Sequence, residues 1–222
     1  LSDLVKKVTA AYENYQFHIV YRSLYDFCVV DMSNIYFDVL KDRLYVEKAD
    51  GQKRRAAQTV IYQVLDAITR IMAPIVAFTS DEIWKAMPHR ASDDKLSPVF
   101  NAFPKADNID VSDVDWDALF ALREEVKKAL EEARNEKLIG APLDAAVTIT
   151  TPDADKLAEN AGLLRELCIV SGLKLEKGDT LSVKVEKAGG CKCVRCWTYS
   201  DSVGKDGEHP ELCARCAAIL RS

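Results

Sequence analysis

The sequence predicts a mainly α protein: an antiparallel helical bundle, then a small α+β domain, then a terminal module built on four cysteines. Three observations carry this reading. Apolar residues recur at helical spacing through residues 1–90. The period shifts to two in several segments beyond residue 144. Two tight cysteine pairs stand between residues 193 and 216. The expected organisation is a bundle over 1–90, a linker over 91–115, an α+β junction domain over 116–190 and a cysteine module over 191–222.

The bundle is read element by element. Leu1, Leu4, Val5, Val8, Tyr12 and Tyr15 make a first apolar stripe. Phe17, Tyr21, Leu24, Phe27 and Cys28 make a second, and Ile35, Tyr36, Val39, Leu40 and Leu44 a third. The aromatic run Tyr12, Tyr15, Phe17, Tyr21, Tyr25 is expected to lie in the core. "EKADGQKRR" (47–55) is polar, contains Gly51 and reads as a loop. Ala57, Val60, Ile61, Val64, Leu65, Ile68 and Met72 form the cleanest stripe in the chain. Pro74 should end that helix, because it lacks an N–H and clashes with the preceding turn. "IVAFTSDEIWKAM" continues as another helix, and short links between such helices give antiparallel neighbours. His18 and His89 have no nearby ligand partners and read as packing or surface residues.

Residues 88–115 hold prolines and acidic turn formers and read as a linker draped on the bundle. A long helix follows from about residue 117 to 137, with Asp115 as N-cap and Leu119, Leu122, Val126, Leu130 and Ala133 on one face. Glu124 and Lys128 should pair across one turn, and the other glutamates of this helix face water. Gly140 and Pro142 stop it. Strands are expected at 145–150, 168–175 and 181–187, with a helix between the first two.

Composition narrows the function. The 222 residues suit one large or two smaller domains. No run of 18 apolar residues exists, so no membrane span is expected, and without a basic, apolar, small-residue leader pattern nothing argues for secretion. The chain starts at Leu1 rather than methionine, which suggests a processed chain or a piece of a longer one. Net charge is −5, which by itself argues against a nucleic-acid partner. The acidity is local, however. Residues 91–190 hold 13 Lys/Arg against 20 Asp/Glu, whereas residues 1–90 hold 12 against 11 and residues 191–222 hold 5 against 4. Either end can still meet phosphate. Cys28 and Cys168 lie in apolar runs, where a thiol packs as a small hydrophobe, so the expected compartment is the reducing cytoplasm.

Cys193 and Cys196 are separated by two residues, as are Cys213 and Cys216, with 16 residues between the pairs. A two-residue gap lets both thiolates of a pair face one centre, and the longer gap accommodates a hairpin. Four thiolates then close a tetrahedron about one structural Zn²⁺, leaving no place for water. Cys191 in place of Cys193, or His209 in place of Cys213, is a possible alternative ligand. Four thiolates and one Zn²⁺ carry a net charge of −2, which Lys192, Arg195 and Arg215 would offset or extend towards a partner.

Four stretches resemble the C-terminal part of bacterial isoleucyl-tRNA synthetases. They are "AYENYQFHIVYRSLYDFC" (11–28), "SNIYFDVLKDRLY" (33–45), "RRAAQTVIYQVLDAITRIMAPIVAFTSDEIW" (54–84) and "KCVRCWTYSDSVGKDGEHPELCARC" (192–216). The helical pieces alone resemble the anticodon-binding bundle of class I synthetases in general; the cysteine module with its "RCW" points to the isoleucyl enzymes. The resemblance implies an anticodon-binding bundle, a junction domain and a terminal zinc domain. It also implies isoleucine tRNA as partner, held by its anticodon stem-loop, and the catalytic domain of the same enzyme as a second partner. ATP would be used only by the full-length enzyme. The HIGH-like and KMSKS-like signatures of the catalytic domain are not in this sequence, nor is a glycine-rich phosphate loop or an editing domain. The piece alone is therefore expected to be inactive, and no DNA partner is expected.

An anticodon loop offers unstacked bases, which proteins read by stacking and by base edges. "KCVRCWTY" supplies Lys192, Arg195, Trp197 and Tyr199. Trp197 is the leading base platform; the competing reading makes it the small core that shields the thiolates. Lys41 and Arg43, in "KDRLY", are the second candidates, near a helix end where they could reach phosphate. A zinc-ribbon protein–protein adaptor is the alternative function. A DNA-repair glycosylase module ends in a similar zinc unit, but nothing upstream of the cysteines resembles one.

Overall fold

A computed structural model describes residues 1–221. By contact density the chain divides into two compact units. The first holds residues 1–44 and 49–110; the second holds residues 45–48 and those from 111 onward.

The first unit is helical. It contains α1 (Ser2–Glu13), α2 (Phe17–Asp26), a π-helical segment (Phe27–Tyr36), α3 (Phe37–Tyr45), α4 (Gln52–Met72) and α5 (Ala77–Ala86). Its core is built by Leu4, Val5, Val8 and Ala11 of α1, Val20 and Leu24 of α2, Phe27 and Met32 of the π segment, and Val64 and Ile71 of α4. Burying such side chains contributes about 1.5–3 kcal/mol each, which is what holds short helices together. The Tyr12 hydroxyl donates to the Ile71 carbonyl at 2.7 Å, tying α1 to α4. Helix α4 stops two residues before Pro74, as proline chemistry requires.

Two faces differ from the sequence reading. Tyr15, Phe17, Tyr21 and Tyr25 are not core residues; they are 81, 50, 65 and 55% exposed. Helix α2 carries two apolar stripes at equal helical spacing, and the bundle buries the aliphatic one. On α4, Val60 and Leu65 are exposed, while Asp66, Ala67, Thr69 and Ile71 turn inward. The reason is a polar network on that face. Arg70 Nε meets Asp66 at 2.9 Å and its Nη2 meets Asp93 at 2.9 Å, with all three side chains nearly buried. Arg90 reaches Asp66 at 3.4 Å. The Arg70 guanidinium also lies 5.0 Å from the centre of the Trp84 ring, whose Nε1 donates to the Asp94 carbonyl. His89 packs on Trp84 with ring centres 4.5 Å apart. These contacts fasten residues 89–105 onto the bundle.

The second unit opens with α6 (Trp116–Asn135). The Asp115 carboxylate accepts from the Ala118 amide at 3.0 Å and caps it. Leu119, Leu122, Val126, Leu130 and Ala133 are buried on one face. On the solvent side Lys128 pairs with Glu125 at 2.6 Å rather than with Glu124, which meets Lys127 instead. Strands β1 (Ala145–Thr151), β2 (Gly172–Lys177) and β3 (Ser182–Lys187) form a sheet of order β2-β1-β3. β1 runs parallel to β2 and antiparallel to β3. The parallel pair needs a crossover, supplied by α7 (Ala154–Leu157) and α8 (Ala161–Cys168). β2 therefore starts four residues later than the sequence suggested: Cys168 ends α8, and Ile169 turns the chain with φ +56°. Buried Arg123 of α6 donates to the Leu167 carbonyl at 3.0 Å, linking α6 to α8. The tail carries the short strands β4 (Cys191–Lys192) and β5 (Tyr199–Ser200) and helix α9 (Ala214–Leu220).

Candidate metal centre and nucleic-acid surface

The four paired cysteines converge. Cys193, Cys196, Cys213 and Cys216 are buried, and their sulfurs all lie within 4.8 Å of one another. Local structure explains how. β4 and β5 pair antiparallel, with Cys191 opposite Ser200 and Lys192 opposite Tyr199, so the first cysteine pair sits in a tight knuckle. The Cys193 amide donates to the Thr198 carbonyl at 3.0 Å, and the Trp197 amide to the Cys193 carbonyl at 2.8 Å. Cys213 is the residue before α9, and Cys216 follows in its first turn. Gly190 makes the entry possible. Its φ is +81°, and a Cβ there would fall 2.4 Å from the Ser200 carbonyl carbon.

The donor set fits a tetrathiolate metal site. Zn–S bonds of about 2.3 Å arranged tetrahedrally place sulfurs about 3.8 Å apart; Cys196 and Cys213 Sγ are 3.7 Å apart. Burial opposes ionisation of the Cys193 thiol, yet backbone amides of Cys196, Cys213 and Arg195 aimed at its sulfur prevail, and its pKa falls to about 6. Burial, reinforced by Cys196 beside them, raises the Cys213 and Cys216 thiols instead. Four crowded sulfurs cannot all ionise without a cation among them. Cys191 and His209 lie outside the cluster. Cys191 is exposed. Of the cysteines in apolar runs, Cys168 is buried and its thiol is pushed up to about 12 by that burial; Cys28 is half-buried.

Around the cluster, Trp197 is 62% exposed and is not among the side chains that make up the cysteine core. Its φ is +64°, a left-handed conformation unusual for so large a residue. Arg195 is half-buried; its guanidinium lies beside the Cys216 thiol and favours the ionised form against the larger effect of burial. Lys192 and Tyr199 face each other across the β4–β5 ladder, with the ammonium 5.9 Å from the ring centre. Lys192 also approaches Asp144 at 3.8 Å, and Arg215 approaches Glu47 at 3.8 Å. Lys41 and Arg43 belong to α3 of the first unit. Lys41 is exposed and paired with Asp38 at 2.7 Å, while Arg43 is half-buried; burial raises the Tyr36 hydroxyl, and the Arg43 charge offsets part of that rise.

Residues 1–149 match the family described as the anticodon-binding domain of tRNA ligase. The chain belongs to that family. Residues 190–219 match a zinc finger found in FPG and IleRS. Along its whole length the chain is similar to isoleucine–tRNA ligases. It is 46% identical to that of Syntrophotalea carbinolica over 233 aligned positions, covering 99% of this chain and 25% of the relative. It is 42% identical to that of Caldicellulosiruptor saccharolyticus and 43% to that of Carboxydothermus hydrogenoformans, again covering 25% of each. The chain thus spans about a quarter of the length of these relatives.

In this anticodon-binding family member, sequence reasoning missed two features. One is the Asp66–Arg70–Asp93 network. Its signal was present as an Asp and an Arg at i,i+4 on α4, but no local pattern announces Asp93 as the third member. The other is the segment after α3: Val46 is 6% exposed and packs into the cysteine core with Leu212 and Ala217. Among the described residues no helix is long and apolar enough to cross a membrane.

Proposed function

We propose that this chain is the tRNA-binding C-terminal quarter of an isoleucine–tRNA ligase, and that it grips the anticodon stem-loop of isoleucine tRNA. The observation that carries the reading is the union, in one chain, of the anticodon-binding match over 1–149 and the zinc-finger match over 190–219. The functional division is a bundle over 1–90, a linker over 91–115, a junction domain over 116–190 and a zinc module over 191–222. Cys193, Cys196, Cys213 and Cys216 hold one structural Zn²⁺. When bound, that ion supplies folding energy to a unit too small to bury a sufficient core, on the order of 10–16 kcal/mol in comparable modules.

On this reading Trp197 offers its exposed ring to an unstacked base, and Arg195, two residues earlier in the same knuckle, adds positive charge for phosphate or base edge. Tyr199 and Lys192 extend the same surface, and Lys41 and Arg43 take phosphates from the bundle. Amino-acid activation with ATP belongs to the catalytic domain of the full-length enzyme, a second partner of this chain. The isolated chain therefore does not charge tRNA. It works in the cytoplasm and has no use for DNA.

A titration tests this. The chain is mixed with isoleucine tRNA and with the same tRNA carrying a changed anticodon, at several salt concentrations. Tighter binding of the first is expected at every salt. Equal affinity removes anticodon reading, and a steep salt slope without discrimination leaves only phosphate contact. Cys193→Ser and Cys213→Ser should each lower the bound zinc; unchanged stoichiometry refutes the ligand set.

A further inference from the structure

The feature of the first unit that its own fold does not use is the aromatic face of α2. Phe17, Tyr21 and Tyr25 follow each other at four-residue steps, and Val29 continues the line into the π segment, where it is 37% exposed. Tyr15 and Phe17 touch edge to face with ring centres 6.3 Å apart, and the Tyr21 and Tyr25 rings are 6.2 Å apart. The result is a row of exposed aromatic and aliphatic side chains along one helix face, the kind of feature that marks interaction surfaces when it forms a patch of several hundred Å². Tyrosines suit a face that is wet before it is covered, since each carries an apolar ring and a polar tip.

We infer that this strip is a protein-docking face, covered in the full-length ligase by an apolar surface from the three-quarters of the enzyme that lies outside this chain. The inference rests on the proposed membership in an isoleucine–tRNA ligase. Two observations select the occupant. The relatives are about four times as long as this chain, so a large protein surface is available to cover the strip. The charge around the strip is wrong for RNA: residues 13–33 hold Glu13, Asp26 and Asp31 against Arg22 as the one Lys/Arg. Arg22 already approaches Asp26 at 3.6 Å. A stacking platform for nucleic acid combines aromatics with a cationic groove, and the segment that carries these rings supplies one cation towards it, Arg22.

Hydroxyl-radical footprinting, read by mass spectrometry on Tyr21 and Tyr25, tests the inference in this 222-residue chain and in the full-length ligase, each with and without isoleucine tRNA. Modification should be several-fold slower in the full-length enzyme without tRNA, because half-exposed rings become covered. Equal rates in both proteins overturn the inference. Protection that needs tRNA overturns it in favour of an RNA face. Protection in this chain that grows with its concentration overturns it in favour of a second copy. The double variant Tyr21→Ser, Tyr25→Ser in the full-length ligase should lower kcat for aminoacylation several-fold while leaving the tRNA Kd unchanged; an unchanged kcat counts against the face. The tRNA titration of the preceding section reports on anticodon reading separately. Lost discrimination with protected tyrosines therefore sinks that reading and not this face.

Discussion

At Trp197 the backbone and the side chain pull in opposite directions. A left-handed conformation costs a residue with a Cβ about 1–2 kcal/mol, and glycine adopts it freely. The ring offsets little of this, being 62% exposed beside the sulfur cluster. Trp197→Gly should therefore make the module hold zinc at least as well in competition with a chelator. It should also weaken binding of isoleucine tRNA by about 10- to 100-fold, the range of one lost stacking platform at 1–3 kcal/mol. Zinc retention and tRNA affinity falling together would make Trp197 structural. Gly190 is the converse case. Its φ of +81° and the 2.4 Å approach of an added Cβ to Ser200 backbone leave no room for alanine. Gly190→Ala should open the β4–β5 ladder and cost more than about 2 kcal/mol. Hydrogen exchange at Cys193 and Ser200 would report it, and unchanged protection would refute it.

Among the elements, α4 depends most on a contact that its own sequence does not show. Arg70 is buried between Asp66 and Asp93, so Arg70→Met leaves two carboxylates facing an apolar side chain. Breaking a buried pair in this way costs about 3–5 kcal/mol, eased here for Asp66 by Arg90 at 3.4 Å. Loss of the Trp84 environment, read by fluorescence in urea, measures the effect; a change of a few tenths would show the network to be dispensable. The pH dependence has a definite sign. Burial alone would raise the Asp93 carboxyl, but the Arg90 amide and the Arg70 guanidinium prevail and hold it below 3.8. A depressed carboxylate stabilises the fold above its unfolded pKa and loses that contribution as pH falls through the folded one. Residues 89–105 should therefore loosen below about pH 4.

The same scale shows what could be read in advance. Helix α6 was legible because its cap Asp115 and its apolar stripe agree with one another; its end was not, since the helix closes at Asn135 with Lys137 at φ +60°, ahead of Gly140. The cysteine cluster was legible because ligand spacing is a local code. Helix α2 was not. Val20, Leu24 and Phe27 fit a helical face, and so do Phe17, Tyr21 and Tyr25. Periodicity finds a face, but it cannot choose between two apolar ones when the burying partner is distant in sequence. The π segment at Phe27–Tyr36 was hidden for a related reason. "FCVVDMSNIY" is apolar on most sides, so no period stands out. The start of β2 was misplaced because Cys168 and Val170 are buried like strand residues while Ile169 turns the chain.

For the whole molecule, the cysteine core reaches further along the chain than the tail itself. Val46, between α3 and α4, is as buried as the ligands' own neighbours and packs with them, and Glu47 approaches Arg215. Among the described residues, the Asp66–Arg70–Asp93 network and the aliphatic core of the first unit are built from residues of that unit alone. Metal removal should therefore have a divided effect. With a strong chelator, residues 191–220 should exchange their amides freely, and the Val46 amide should lose protection with them. The amides of Val8 and Ile71 in the first core should stay protected, as should Val147 in β1, because their burial does not depend on the sulfurs. Restoring zinc should return protection to Val46 and the tail together. Val46 staying closed while Cys193 and Cys216 exchange would mean that this segment is held by the bundle rather than by the metal-organised core. Simultaneous opening of Val8 would mean that the two units fold as one.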